Sequence, residues 1–166
     1  MRRLAPALLC LLPLAAQAQD DDTAWIAETW PAGGAILEEA AQRCDTETEG
    51  GTLVIEGGAF TEEDLDGSEG GMGPDDLVID FNHIFCSRAA SLWAGTGGAP
   101  VHFVLSSGES ASWTGWNWGV VRHGPYTPNV ILLQRHGIVC DSFGAAPCVT
   151  AIVAEDGVFY TPISAD

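Results

Sequence analysis

Four cysteines, Cys44, Cys86, Cys140 and Cys148, lie downstream of a segment built for export, and that combination constrains the fold more than any other feature of the chain. The opening residues, MRRLAPALLCLLPLAAQA, have a basic start at Arg2 and Arg3, an apolar run from Leu4 to Ala16 and a small-x-small end at Ala16 and Ala18. This is the pattern of a secretory signal peptide cleaved after Ala18, and it places the mature protein in the periplasm or outside the cell. In an oxidising compartment an even number of cysteines is read as disulfides. Cys140 and Cys148 flank the short loop DSFGAAP, which a bridge would close, and Cys44 then pairs with Cys86 by elimination, one of three connectivities. A metal-thiolate centre would require a spacing such as C-x-x-C, and the sequence has none. No later segment reaches the roughly 20 apolar residues of a spanning helix, so no membrane insertion is expected.

About 148 of the 166 residues remain after the leader, enough for one domain over 19–166 with its own core. Hydrophobic periodicity predicts one amphipathic helix, PAGGAILEEAAQRC from Pro31 to Cys44, with proline at its start and Ile36, Leu37, Ala40 and Ala41 at helical spacing. The remaining signals are strands. GTLVIEGG at 51–58 and DLVIDF at 76–81 are short branched runs, a strand near 101–105 reaches a Ser-Ser-Gly turn, and one or two more extend to Arg122. NVILLQRHG at 129–137 and a 148–163 hairpin turning on Asp156-Gly157 complete the set. Short turns between successive strands require antiparallel pairing, so the expected class is α+β, one helix packed on a largely antiparallel sheet or meander.

Charge narrows the partners. The six basic residues less the two in the leader leave four arginines (Arg43, Arg88, Arg122, Arg135) against 23 acids, a formal charge of −19, and lysine is absent. Such a surface repels nucleic acid and anionic lipid and favours cations or a basic protein partner; it also serves solubility alone. Eight of the acids fall between Glu62 and Asp80 without one base. Within that stretch Asp64, Asp66 and Ser68 alternate, glycines follow at 67, 70 and 71, and Asp75 and Asp76 close the loop. Alternating oxygen donors on a Gly-rich turn suit calcium, which takes six to eight oxygens in a flexible geometry. The competing reading is a solvated acidic turn. In an EF-hand frame starting at Asp64, Glu69 stands where the turn glycine belongs and Asp75 where the bidentate glutamate belongs, so a calcium site here is expected to be weak, on the order of 10⁻⁴ to 10⁻³ M.

The order of blocks EDLDG…DDLVIDF…C…LWAGTGGAPVHFVLS…VILLQRHGIVC…PCVTAIVAEDGVFY resembles a group of uncharacterised secreted proteins of alphaproteobacteria. Their D-L-N-G-D-G-x-x-D-x-I-x-D loop is similar to the calcium loops of FG-GAP and VCBS repeats, and they end in a His-Gly-x-x-Cys…Pro-Cys tail. The resemblance spans about Cys44 to Tyr160 and implies a calcium-type loop without an assigned activity. Two departures stand out: extra residues between Asp66 and Asp75, and Ala94 and Ala99 where the pattern has a cysteine pair.

Catalytic signals are missing. His83, His102, His123 and His136 show no H-x-x-H or H-E-x-x-H spacing, SSGES at 106–110 reads as a hairpin turn, and there is no G-x-S-x-G. The sequence therefore predicts a binding or interaction module, not an enzyme. The alternative is a glycan-binding or hydrolytic envelope protein using Trp113, Trp116 and Trp118, since aromatic platforms stack sugars. Against it stands the general preference of tryptophan for buried positions.

Overall fold

The structure, a computed structural model, describes residues 23–67, 75–124, 127–144, 146 and 148–161. The leader at 1–18 lies outside the described residues. The fold is α+β, and the strands pair antiparallel throughout. The helical part is longer than the single expected helix. Helix α1 covers 23–29 and helix α2 runs Pro31–Glu47. Pro31 separates them: a residue before proline is pushed out of the helical region, and Trp30 has φ −125° and ψ 86°. Trp30 itself is buried, and its indole N–H donates to the Asp75 carbonyl at 3.0 Å.

Among the described residues ten strands follow: β1 (Leu53–Ile55), β2 (Phe60–Glu63), β3 (Asp76–Asp80), β4 (Ile84–Cys86), β5 (Ala99–Val104), β6 (Ser110–Gly115), β7 (Asn117–Val121), β8 (Val130–Arg135), β9 (Cys148–Glu155) and β10 (Val158–Tyr160). They form a two-stranded ribbon β1-β4 and two four-stranded sheets, β2-β3-β5-β6 and β10-β9-β8-β7. The first of these sheets is central, which the alternation of its side chains makes plain. On β3, Leu77 and Ile79 join Ile26, Trp30, Leu37 and Ala40 of the helices, whereas Val78 joins Val101, Phe103, Ile131, Leu133 and Ile152 between the two sheets. Because β3 is covered on both faces, every one of its residues is buried, including Asp76 and Asp80. The branched run of DLVID follows from this double coverage.

The two sheets share one ribbon. β6 ends at Gly115, β7 begins at Asn117, and at the bend Trp116 N–H donates to the Gln134 carbonyl of β8 (2.9 Å). Asn82 braces the same corner. Its Nδ2 donates to Asp80 Oδ1 (2.7 Å) and to the Gly115 carbonyl (2.9 Å), and its Oδ1 accepts from Ala99 N–H (3.1 Å).

Both bridges form as expected, Cys44–Cys86 with Cα atoms 5.5 Å apart and Cys140–Cys148 at 5.9 Å. The first ties the last turns of α2 to β4. The Asp156-Gly157 hairpin has φ of 51° and 75° at its two central residues, the pattern of a type I′ turn. Two strands arise where the sequence signal was weak. β2 runs into the start of the acidic stretch, and its glutamates are tolerated because it is an edge strand. β4 is three residues long and is held by β1 and the disulfide.

Candidate functional site

Three of the five residues expected at a metal loop converge. Ligand oxygens of Asp64, Asp66 and Asp76 lie within 4.8 Å of one another, the one group of metal-binding geometry found among the described residues. Ser68 lies outside the described residues. Asp75 is exposed and takes no part in the cluster, and its carbonyl is turned to Trp30. It sits one residue before β3, where side chains alternate between faces, so Asp75 and Asp76 do not point to the same side.

Asp76 is the rigid member of the group. It is fully buried at the start of β3, where Leu65 N–H donates to Oδ2 (2.9 Å) and Ser106 N–H donates to Oδ1 (2.8 Å). Burial pushes its carboxyl up to about 6; the two N–H donors pull the other way, and Asp66 and Asp64 push it further up. Asp64 opens the turn by accepting Gly67 N–H on Oδ1 (2.7 Å). Gly67 has φ +74°, and a Cβ there would stand 2.4 Å from the Thr127 carbonyl, so only glycine lets the loop lie against the 127–129 segment. Asn129, also buried, secures the contact by donating to the Asp64 carbonyl (2.8 Å). Asn129 and Thr127 were not foreseen as part of the loop; Asn129 stands 65 residues from Asp64, and such a separation leaves no local signal.

The donor set is three carboxylates, each offering one hard oxygen, and the Asp76 oxygens keep a free lone pair beyond their N–H bonds. Hard, flexible, oxygen-only surroundings fit calcium better than zinc or copper. The described arginines all have partners outside the three carboxylates: Arg122 is paired to Glu63, Arg43 to Glu47 (2.6 Å), Arg88 donates to the Glu49 carbonyl and Arg135 to the Thr114 carbonyl (3.1 Å).

The tryptophans do not form the common face that glycan stacking requires. Trp113 and Trp118 turn into the space between the sheets and flank Phe103, with ring centroids 6.1 and 6.2 Å away, and Trp113 also meets Phe159 at 6.1 Å. Trp116 lies at the β6–β7 bend, 37% exposed, beside His136. Trp116 and Trp118, two residues apart, would share one face of a continuous strand, but the chain changes sheets between them. His136 accepts Ile138 N–H on Nδ1 and caps a short 3-10 turn, Gly137–Cys140.

A groove of about 660 Å³ between α1, α2 and β1 is lined mainly by alanine, leucine and threonine, with Glu38 as its one charged residue. A smaller pocket of about 200 Å³ lies between α2 and the β5–β6 side of the central sheet and contains His102, Glu39 and Trp93. No family model matches the chain, and no curated protein or solved structure is significantly similar to it.

Proposed function

We propose that this protein is an extracytoplasmic binding or interaction module without catalytic activity, whose acidic loop takes a calcium ion as a structural tie and whose anionic surface receives a basic protein or other cationic partner. The observation that carries the reading is the convergence of Asp64, Asp66 and Asp76 on a loop pinned by Gly67 and Asn129. An ion held there would join β2, β3 and the segment leading into β8, so its contribution would be to the coherence of the two sheets. Export and disulfide bonding support the location, and the resemblance to secreted alphaproteobacterial proteins agrees with it. The surface charge of −19, with all four arginines already engaged, supports a cationic partner by long-range attraction.

The test is thermal unfolding of the oxidised protein in chelator and in calcium. For a weak site with a dissociation constant of about 10⁻³ M, excess calcium near 10 mM should stabilise the fold by about 1.4 kcal/mol. Magnesium should do less, because it demands a near-ideal octahedron and gives up water reluctantly. An Asp66→Asn variant should lose the calcium response and keep the fold; an unchanged response would remove this loop from the reading.

A further inference from the structure

The central sheet carries a second chemical feature on the side away from the acidic loop. Phe81, at the end of β3, is flanked by Trp93 (centroids 5.5 Å apart, 72° between planes) and by His102 (5.1 Å, 49°). These three rings line the pocket of about 200 Å³, and Glu39 of α2 stands on its wall. The placement follows from the fold. His102 is on the helix-facing side of β5, like Val104, and Trp93 is delivered by the connection from β4 to β5.

The polarity of the pocket is one-sided. Burial lowers the His102 pKa, with Glu39 opposing, so at neutral pH the imidazole is an uncharged ring. Arg43, which also borders the cavity, is held by Glu47 through its Nε at 2.6 Å. Arg43 also feels the Glu39 carboxylate, so Glu39, Arg43 and Glu47 together leave one net negative charge beside the pocket. Three aromatic rings beside one carboxylate form an electron-rich enclosure, and ring quadrupoles attract a cation placed within about 6 Å of their centroids. An alkylated ammonium suits this better than a metal ion: it is weakly hydrated, its methyl groups tolerate apolar walls, and it needs no set of hard oxygen ligands.

We infer that the pocket formed by Phe81, Trp93, His102 and Glu39 binds small organic cations of the methylated-ammonium class. The inference is independent of the calcium reading, because the pocket shares no residue with the Asp64, Asp66 and Asp76 cluster and lies on the other face of the sheet.

The experiment is a titration of the full oxidised protein with choline and with tetramethylammonium at constant ionic strength, followed by calorimetry and by the tryptophan indole resonances in NMR. The uncharged isostere 3,3-dimethylbutan-1-ol serves as control. Both cations should saturate in the millimolar range and shift the Trp93 indole signal, and the isostere should bind roughly tenfold or more weakly. Glu39→Gln, on an exposed helical surface, should fold normally and weaken both cations roughly three- to tenfold. Trp93→Leu should abolish saturation, and Trp116→Leu should leave it unchanged. No saturable binding below about 50 mM overturns the inference, as does equal affinity for the isostere. Unchanged binding by Glu39→Gln and Trp93→Leu overturns it as well, since the cation would then sit elsewhere.

Discussion

The burial of Asp76 gives the fold a pH dependence, and the proposed calcium site predicts that its sign should reverse when calcium is bound. Its carboxyl moves from 3.8 to about 6 in the folded protein. Between those values the unfolded chain releases the proton while the folded chain still holds it. The contribution of this group to stability is therefore fully present below about pH 4 and is lost as pH rises through about 6. A shift of roughly two pH units corresponds to about 3 kcal/mol, and full burial of the group means solvent screening takes little from it. For a domain of this size that is about 6 to 12 °C of melting temperature. The assay is calorimetric unfolding in chelator at pH 4.5, 5.5 and 7.0, repeated in Asp76→Asn. The quantity of interest is the difference between the two proteins. The side-chain amide of the Asp76→Asn variant has a single oxygen and cannot accept both the Leu65 and Ser106 N–H groups, so the substitution should cost a pH-independent 1 to 3 kcal/mol or so, roughly one buried hydrogen bond, while flattening the slope. With calcium in excess the charged carboxylate is the form that binds, and the wild-type protein should become more stable as pH rises over the same interval. Equal slopes for the wild type and Asp76→Asn in chelator would refute the reasoning.

Three further outcomes test the packing. Gly51→Ala places a Cβ 2.1 Å from Thr48 Oγ1 and 2.6 Å from Cys86 Sγ, so unfolding should become easier by roughly 1 to 3 kcal/mol and thiol titration should reveal a strained or open Cys44–Cys86 bridge. Asn82→Ala leaves the Ala99 N–H and the Gly115 carbonyl without their partner at the corner of the two sheets, and about 2 to 4 kcal/mol should be lost in denaturant titration. Replacing each disulfide pair by serines should cost about 4 kcal/mol for Cys44–Cys86, with a separation of 42, and about 2.5 kcal/mol for Cys140–Cys148, with a separation of 8, if loop entropy governs. A reversed order would assign the difference to native contacts.

What the sequence disclosed depended on how local each cause was. The Asp156-Gly157 turn, the DLVID strand and the start of α2 at Pro31 are written in neighbouring residues, and the bridges follow from a count of four and one short loop. α1 carried no such local mark: seven described helical residues before a proline give little periodicity to detect. β2 was hidden by its glutamates, which belong on an edge strand but read as loop. The stacking of two sheets over Phe103 depends on its packing against Ile131 and Leu133 of β8 and Ile152 of β9, which no window of residues contains. The acidic loop was visible as composition, yet the selection of Asp64, Asp66 and Asp76, with Asp75 left out, depends on strand alternation and on Asn129, 65 residues away. The pocket of Trp93, His102 and Glu39 joins a helix, a strand and a connection, and its residues carry no shared spacing.

The passage of one continuous ribbon from the central sheet to the outer one at Gly115–Trp116 has a mechanical consequence. Neither layer can peel away without pulling on the other through the continuous β6–β7 chain and the Trp116–Gln134 hydrogen bond. Amide protons of β3 and β8 should accordingly exchange with solvent through the same global opening, at matching rates, despite belonging to different layers.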